Sequence, residues 1–502
     1  MSKNSKNVGR VSTRQTTPAH GDVGLREEAA LVPGRGNPTY GANLINGDIP
    51  EHWEFTTLGE VCRRGGGNIQ TGPFGSQLHA SDYVPVGVPS IMPTNIGENR
   101  IIEDGIVRIT EADANRLGQY RLRAGDIVYS RRGDVEKRAL VRGREEGWFC
   151  GTGCLKVRLG SGVVDPLFAS LYLGHPSVRE WIVRHAVGAT MPNLNTSIMS
   201  AVPFALPPLP EQKAIAHILG TLDDKIELNR RMNATLEAMA RALFQSWFVD
   251  FDPVRAKLDG RKPSGLDAAT AALFPAHFQE SPLGHIPQGW EVKTIEELAE
   301  RVAMGPFGSD IKVSTFVPEG IPVVSGQHLR GTLLDDSEFN FVTEDHADRL
   351  KRSNVQRGDV IFTHAGSIGQ VAYIPETSRY ERYIVSQRQF YMLCNRAVMS
   401  PLYITSYFKT PEGQHRLLAN TSSTGVPSIS QPVTYLRQLK ILVPPPALLK
   451  VFDATAGLIH QKMARNDYES RTLATLRNAL LPNLISGELR VKVATKLAEA
   501  IA

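Results

Sequence analysis

Residues 211–249 read EQKAIAHILGTLDDKIELNRRMNATLEAMARALFQSWFV, a stretch without proline in which only Gly220 interrupts a helical composition. Two rows of residues, mostly apolar, recur in it at a spacing of seven. The rows are Ile215, Leu222, Asn229, Leu236 and Leu243, and Leu219, Ile226, Asn233, Ala240 and Trp247. Together they give the alternating three- and four-residue spacing of a coiled-coil seam. The sequence therefore predicts one long helix with a buried stripe.

The same stripe returns 237 residues later, between about Leu448 and Ile485, with Pro482 expected to distort the last turn. Its first row is Phe452, Ile459, Asn466, Leu473 and Leu480. Asn229 and Asn466 hold the same seam position near the middle of their helices, so an antiparallel pair would bring them together. A polar residue at a seam lowers stability but fixes the register. We expect Asn229 and Asn466 to set the register, although two amphipathic helices packing separately on their own domains would give a similar pattern.

The duplication extends to the segments that precede each helix. GPFGS at 72–76 returns at 305–309, and GDIV at 125–128 returns as GDVI at 358–361, each shifted by 233 residues. Landmarks kept in order over so long a stretch indicate a duplicated domain. Each copy has short β-type runs broken by Gly and Pro, with helical pieces between them. The predicted fold class is α+β (mixed α/β), with two similar globular domains separated by two long helices that pair as an antiparallel, pseudo-twofold symmetric coiled coil.

The changes in texture along the chain give the expected boundaries. In chain order these are a disordered N-terminal tail at 1–45, a first globular domain at 46–208, a first spacer helix at 209–251, a linker at 252–282, a second globular domain at 283–444, a second spacer helix at 445–487 and a C-terminal tail at 488–502.

Positive charge is concentrated at corresponding places in the two copies. The net charge is +5, but residues 121–144 hold eight Arg or Lys against three Asp or Glu, and residues 349–388 hold seven against three. A solvated basic surface would explain either stretch alone. Their recurrence in both copies favours a face that binds a polyanion.

Several classes of protein and site are not supported by the composition. Four cysteines without a CxxC pair are typical of a reducing compartment, and the apolar runs are too short to cross a membrane, so we expect a cytoplasmic protein. The chain has no phosphate-binding GxxxxGK[ST] motif and no HExxH metal motif. We therefore expect no catalytic residue, no metal site and no cofactor on this chain.

Residues next to the repeated motifs are the candidates for binding this polyanion. The GPFGS loops offer Gly72, Ser76, Gly305 and Ser309, either as a phosphate-contacting loop or as a structural turn that buries Phe74 and Phe307. Stronger candidates follow the Gly-Asp strands, where the two copies share a turn but differ in side chains. These are Ser130, Arg131, Arg132, Lys137 and Arg138 in the first copy, and Thr363 and His364 with the basic Lys351 and Arg352 in the second.

The segments NIQTGPFGSQL at 68–78 and GDIVYSRRGD at 125–134, with the helix that ends in SWFVDF at 246–251, resemble the specificity (S) subunit of type I restriction–modification enzymes. LRNALLPNLISGEL at 476–489 resembles the second half of that family. The resemblance covers residues 47–490. It implies two target recognition domains, each reading one half of a bipartite double-stranded DNA target, and paired helices that set the gap.

The same resemblance implies partners for this chain. Two modification subunits would dock on the helices and methylate adenine with S-adenosylmethionine. Restriction subunits, which carry ATP, Mg²⁺ and the nuclease, would join for phage defence. The chain itself would be a non-catalytic DNA-binding subunit. A specificity subunit of a stand-alone methyltransferase or another defence system, and a coiled-coil adaptor that binds no DNA, remain alternatives.

Overall fold

The computed structural model describes residues 50–188, 191–336, 338–422 and 425–491. The predicted tail at 1–45 lies outside the described residues, as does most of the tail at 488–502. The described chain forms two compact units. The first ends at Gln212 and includes Ser486–Glu488, and the second runs from Lys213 to Ile485 and resumes at Leu489.

The first unit contains ten strands and five short helices, numbered here in chain order. The strands are β1 Glu54–Thr57, β2 Gly66–Thr71, β3 Tyr83–Val84, β4 Val88–Ile91, β5 Val107–Ile109, β6 Ile127–Ser130, β7 Arg138–Leu140, β8 Phe149–Cys150, β9 Cys154–Gly160 and β10 Pro203–Leu206. The helices are α1 Leu58–Arg64, α2 Glu111–Arg116, α3 Pro166–Tyr172, α4 Pro176–His185 and α5 Thr196–Ala201.

Local sequence explains where these helices begin. Thr110 caps α2 by accepting the backbone N–H of Asp113 at 3.1 Å. Asp165 caps α3 in the same way, and Pro166, which has no N–H to satisfy, takes the first helical position. The helical pieces predicted within the first α+β domain therefore begin at residues that cap helices.

Two four-stranded sheets form the body of this unit. One is antiparallel in the order β2-β9-β6-β7, and the other has the order β3-β5-β4-β8 with β4 parallel to β8. β1 pairs with β10 beside them. The buried apolar residues Ile91, Ile109, Val128 and Phe149 lie between the sheets and form one core cluster. This core fixes the ends of the strands, where the loops of interest emerge.

The second unit holds the remaining elements. Its strands are β11 Phe278–Ser281, β12 Gly284–Pro287, β13 Glu291–Thr294, β14 Ala299–Met304, β15 Ile321–Val324, β16 Asn340–Val342, β17 Asn354–Gln356, β18 Val360–Thr363, β19 Val371–Tyr373, β20 Arg382–Val385, β21 Gln389–Cys394, β22 Thr421–Ser422, β23 Ser428–Ile429 and β24 Lys440–Val443. Its helices are α6 Leu209–Phe244, which starts in the first unit, α7 Asp252–Leu258, α8 Ala268–Ala272, α9 Ile295–Leu298, α10 Glu344–Arg349, α11 Pro401–Phe408, α12 Pro411–Leu418, α13 Pro432–Gln438 and α14 Pro446–Ile485.

The sheets of the second globular domain repeat those of the first. The order β14-β21-β18-β19 matches β2-β9-β6-β7 strand for strand, and β15 is parallel to β20 as β4 is to β8. β13 pairs with β24 as β1 pairs with β10. The duplicated domain predicted from GPFGS and Gly-Asp is thus confirmed in the topology.

The segment expected to be a linker is more structured than that description suggests. Besides α7, α8 and the β11–β12 hairpin, it contributes Val254 and Phe274 to the core of the second unit, where both are buried. They join Trp290 and the aromatic residues Phe244 and Phe248 at the end of α6. The second globular domain is therefore continuous with the end of the first spacer helix.

The two long helices pack antiparallel, as the seam predicts. The Arg477 Nη1 donates to Asp223 Oδ1 at 2.7 Å, and Phe244 packs edge to face against Phe452, so a later residue of α6 contacts an earlier residue of α14. The helices have 36 and 40 residues, or about 54 and 60 Å at 1.5 Å per residue. α14 continues through Pro482 to Ile485, and helical structure is kept there despite the proline.

The predicted register pair lies at the centre of this seam, and both side chains are buried. The Asn229 Nδ2 lies 3.4 Å from the Asn466 carbonyl oxygen. Asn229 also donates to Ser470 Oγ at 3.3 Å, while Asn466 donates to Asn233 Oδ1 at 2.8 Å. A shift of 237 residues converts one of these last two bonds into the other. The asparagines are therefore joined to the facing helix by a pair of equivalent cross-helix bonds.

Candidate nucleic-acid interface

Four loops of the first globular domain meet at one edge of its antiparallel sheet. β2 and β6 end there and β9 begins there. The Gly72 N–H donates to the Cys154 carbonyl at 2.8 Å, the Arg131 N–H to Gly153 at 2.8 Å, and the Leu194 N–H to Arg131 at 2.9 Å. We call residues 72–76, 130–133, 151–154 and 191–194 loop edge 1. Backbone hydrogen bonds thus fix the position of each loop relative to the next.

The second domain builds the same arrangement from residues 305–309, 363–366, 386–389 and 426–429, which we call loop edge 2. The Gly305 N–H donates to Gln389 at 2.8 Å, the His364 N–H to Arg388 at 2.9 Å, and the Ile429 N–H to His364 at 2.8 Å. Each bond has its counterpart in loop edge 1. The backbone frame is therefore the same in both domains.

The first glycine of each GPFGS loop is required by close backbone packing. A Cβ at Gly72 would lie 2.2 Å from the Gly151 carbonyl oxygen, and one at Gly305 would lie 2.1 Å from the Ser386 oxygen. No side chain fits at these distances, so glycine lets the loop lie directly against its neighbour. This explains why both copies keep the residue.

The phenylalanines of the two loops are exposed. Phe74 is 57 % exposed and Phe307 is 84 % exposed. The interpretation of GPFGS as a turn that buries its phenylalanine in the core is therefore wrong. The loops carry their aromatic rings to the surface, next to the turns that follow the Gly-Asp strands.

Loop edge 1 presents cationic and apolar side chains together. The Arg131 guanidinium lies over the Phe74 ring, with its carbon 5.7 Å from the ring centre. Arg132 is exposed beside it, and Met191 is 61 % exposed on the fourth loop. Within the described residues, Arg131 and Arg132 have no hydrogen bond or ion pair from their guanidinium groups to another protein group. The Arg131 Nε is buried, so the donors that a ligand can reach are the terminal guanidinium nitrogens of Arg131 and the guanidinium of Arg132.

Loop edge 2 has different side chains on the same frame. His364 replaces Arg131 and its Nε2 lies 3.1 Å from the Gln387 carbonyl oxygen, while Ala365 replaces Arg132. Arg388 is exposed and lies beside the turn, since a Cβ at Gly366 would be 3.3 Å from its Nη1. Val426 takes the place of Met191. The second edge is thus less cationic and offers another set of donors and acceptors.

Comparison with known proteins agrees with this architecture. A family model described as "Type I restriction modification DNA specificity domain" matches residues 50–238. The specificity subunit of the type I restriction enzyme HindI from Haemophilus influenzae is 23% identical over 409 residues, which cover 73% of this chain and 87% of that protein. The MjaIX specificity subunit from Methanocaldococcus jannaschii is 23% identical over 458 residues, covering 89% and 95%. This chain is therefore similar in sequence to type I restriction–modification specificity subunits over most of its length.

A solved structure has a similar fold. The S subunit of a type I system from M. genitalium superposes with a TM-score of 0.50 at 17% identity, over 87% of this chain and 96% of the other. This chain therefore shares its fold with that protein.

Three side chains that were predicted to bind DNA lie in the protein interior. Ser130 and Thr363 are each 1 % exposed, and their hydroxyls bond to groups of the same domain. Arg138 is buried under α3, where its Nε donates to the Ser170 carbonyl at 2.6 Å. Since these groups have internal partners, they support the loops and we remove them from the candidate surface.

Gly72 is also buried and Gly305 is half-buried, while the remaining predicted residues lie on the surface. Ser76 and Ser309 are exposed on the GPFGS loops, and Lys137 is exposed but paired with Asp134 at 2.9 Å. Lys351 and Arg352 are exposed on the turn before β17, which belongs to the other sheet. The candidate contacts are therefore concentrated at the loop edges, with Lys351 and Arg352 apart from them.

Sequence reasoning missed Met191, Val426, Gln387 and Arg388. Met191 and Val426 come from a loop that contains no repeated motif, so their place beside the Gly-Asp turns follows only from backbone pairing. Arg388 lies within the basic stretch 349–388 and is the one that this charge pattern could have revealed.

The repeated Gly-Asp aspartates have a structural role. Asp126 accepts the Arg123 N–H at 2.9 Å and pairs with Arg158 at 2.6 Å. Asp359 accepts the Gln356 N–H at 2.9 Å but receives no hydrogen bond from an arginine among the described residues, and burial raises its pKa to about 6. Both close the turn at the strand end opposite the loop edges.

Neither a metal site nor a membrane segment was found in the described part of the chain. Its His, Cys, Asp and Glu side chains form no group of three or more that could hold a metal ion. None of its described helices is long and apolar enough to cross a membrane.

Proposed function

We propose that this chain is the DNA-reading subunit of a type I restriction–modification complex. Each globular domain reads one half of a bipartite double-stranded target through its loop edge, and the paired helices set the gap between the halves. The observation that carries this proposal is the identical backbone frame of the two loop edges with different side chains on each. Two domains that share a backbone framework but carry different side chains on it are suited to recognising different DNA sequences.

The chemistry of loop edge 1 supports DNA as the ligand. Arginine is the usual bidentate partner of guanine in the major groove, and unpaired guanidinium groups also bind phosphates. Arg131 and Arg132 lie on neighbouring positions of one rigid turn. Loop edge 2, with His364, Gln387 and Arg388, offers fewer charges and more mixed donors and acceptors, which favours a different half-sequence.

The helix pair is the proposed docking surface for two adenine-methyltransferase subunits, through which restriction subunits join. Large apolar residues remain exposed along both helices, which is typical of a surface that a protein partner covers. They are Leu228, Met239, Leu458 and Tyr468, each between 52 and 69 % exposed. S-adenosylmethionine would be held by the methyltransferases and ATP with Mg²⁺ by the restriction subunits, so this chain contributes recognition and assembly and does no chemistry.

The test removes the cations of loop edge 1 from the complex that co-purifies with this chain from its host. Arg131→Ala with Arg132→Ala should weaken DNA binding and flatten its dependence on salt concentration, because fewer counterions are released. The matched control is Arg63→Ala with Arg64→Ala, which removes the same charge from α1 of the same domain. Equal affinity and equal salt slopes for both double variants would contradict the proposal, as would a wild-type complex that shows no sequence-specific binding.

A further inference from the structure

The exposed phenylalanines of the GPFGS loops are the feature of both edges that the proposed function does not explain. A single exposed apolar residue needs no explanation. Here the same residue is exposed at the same position in two domains whose neighbouring side chains have diverged, from Arg131 to His364 and from Arg132 to Ala365. An apolar ring kept on a surface of changing polar residues indicates a contact that both domains make in the same way.

Both rings are carried on a tight, preorganised turn. The Phe74 N–H donates to Gln77 Oε1 at 3.1 Å, and the Gln77 N–H donates back to the Phe74 carbonyl at 2.9 Å. Phe307 and Asp310 make the same two bonds at 3.1 and 2.9 Å. Gly72 and Gly305 anchor the turns against their neighbouring loops. The rings are therefore presented on a backbone that needs little ordering on binding.

Charge beside the rings indicates the kind of partner. Arg131 stacks on Phe74 with its donors unsatisfied by the described residues, and Arg388 lies exposed on loop edge 2. An apolar group next to cations that are free to bind phosphate matches the surface of a nucleic-acid duplex. Proteins that insert apolar wedges between bases combine the two in this way.

We propose that Phe74 and Phe307 each insert their ring at a base step of the half-site read by the same domain. This inference rests on the proposed function. Partial unstacking costs least at flexible pyrimidine–purine steps, so each half-site should contain or adjoin a TA, CA or TG step. Phe74 and Phe307 would thus add a contact common to both halves, while the diverged residues distinguish the sequences.

The test uses the complex that co-purifies with this chain from its host and a duplex carrying the target defined by sequencing methylated adenines. Permanganate, which oxidises unstacked thymines, is the probe, with thymines placed at each candidate step. The wild-type complex should make one step reactive in each half-site. Phe74→Ala should abolish the reactivity in the first half only and weaken specific binding roughly 10-fold, and Phe307→Ala should do the same for the second half.

Matched controls are Val86→Ala and Val313→Ala, which remove exposed apolar side chains of the same two domains outside the loop edges. Both should leave reactivity and binding unchanged. Persistent reactivity and unchanged affinity in Phe74→Ala would overturn the inference. So would a Phe74→Ala chain that loses its partner subunits on gel filtration while its DNA contacts persist, because the ring would then be a protein contact. Failure of the wild-type complex to bind DNA sequence-specifically would instead refute the proposed function.

Discussion

Asp126 and Asp359 occupy equivalent turns of the two domains but have different side-chain partners, and mutation can test the consequence of that difference. Both aspartates accept a backbone N–H three residues earlier in the chain, but only Asp126 has an arginine partner. We expect Asp359→Asn to stabilise the second domain at neutral pH. Asp126→Asn should destabilise the first domain by about 3 kcal/mol, since it leaves the largely buried Arg158 without its counter-charge.

The magnitude for Asp359 follows from its pKa. A folded-state pKa of about 6 against the ordinary 3.8 corresponds to about 3 kcal/mol, at roughly 1.36 kcal/mol per pKa unit. Because the folded pKa is raised, the folded state is favoured below pH 4 and loses this stability as pH rises through 6. About half of the loss develops between pH 5 and pH 8. Asparagine keeps the bond from Gln356 but buries an amide in place of the unpaired Oδ1, at about 1–3 kcal/mol, which leaves a net gain of about 1 kcal/mol.

Hydrogen exchange read by mass spectrometry on the full chain reports each domain separately, through peptides covering β6 and β18. The difference in opening free energy between Asp359→Asn and wild type should grow by about 1.5 kcal/mol from pH 5 to pH 8. Asp126→Asn serves as the matched variant, with faster exchange at β6 at both pH values. If the difference in opening free energy between Asp359→Asn and wild type is the same at pH 5 and pH 8, burial does not raise the pKa of Asp359 and the reasoning is refuted.

Two further predictions concern the loop edges and the seam. Gly72→Ala should disturb loop edge 1 and weaken DNA binding several-fold, because the new Cβ would lie 2.2 Å from the Gly151 carbonyl oxygen. Gly75→Ala is the control: a Cβ there has no atom within 4 Å, so the same binding titration should give the wild-type affinity. Replacing Asn229 and Asn466 by leucine should stabilise the helix pair by about 1 kcal/mol while loosening its register. The loosened register would appear as reduced disulfide formation between cysteines introduced at Asp223 and Arg477, which face each other in the wild-type seam.

The helix pair was predictable because the residues that form its contacts recur at a regular spacing along the sequence. A spacing of seven in two segments, with Asn229 and Asn466 at the same position, specifies both the seam and its register without any tertiary information. The presence of two similar domains followed from the repeat in the same way. By contrast, the exposure of Phe74 and Phe307 depends on how closely Gly72 and Gly305 approach other loops. Those loops are distant in the sequence, so no local pattern predicts the approach.

The burial of Arg138 could have been recognised by comparing the copies. A shift of 233 residues places Val371 at its position, and both residues begin the edge strand of the antiparallel sheet. A position filled by valine in one copy faces the core, and the arginine in the other copy reaches a carbonyl from there. Charge alone placed Arg138 with Arg131 and Arg132, although only the latter two occupy the turn.

The comparison of copies also separates the residues that hold the frame from those that contact the target. Gly72, Gly305, Asp126 and Asp359 lie where the backbone requires them, so their identity is retained. The positions of Arg131 and His364 lie on the same backbone bonds, although their side chains make different contacts, with the Phe74 ring and with the Gln387 carbonyl. The backbone frame accommodates both residues, which would let each domain acquire a new half-sequence while the strands and turns stay unchanged. Phe74 and Phe307 belong to a third class of residues, because they are exposed in both domains and yet keep the same identity.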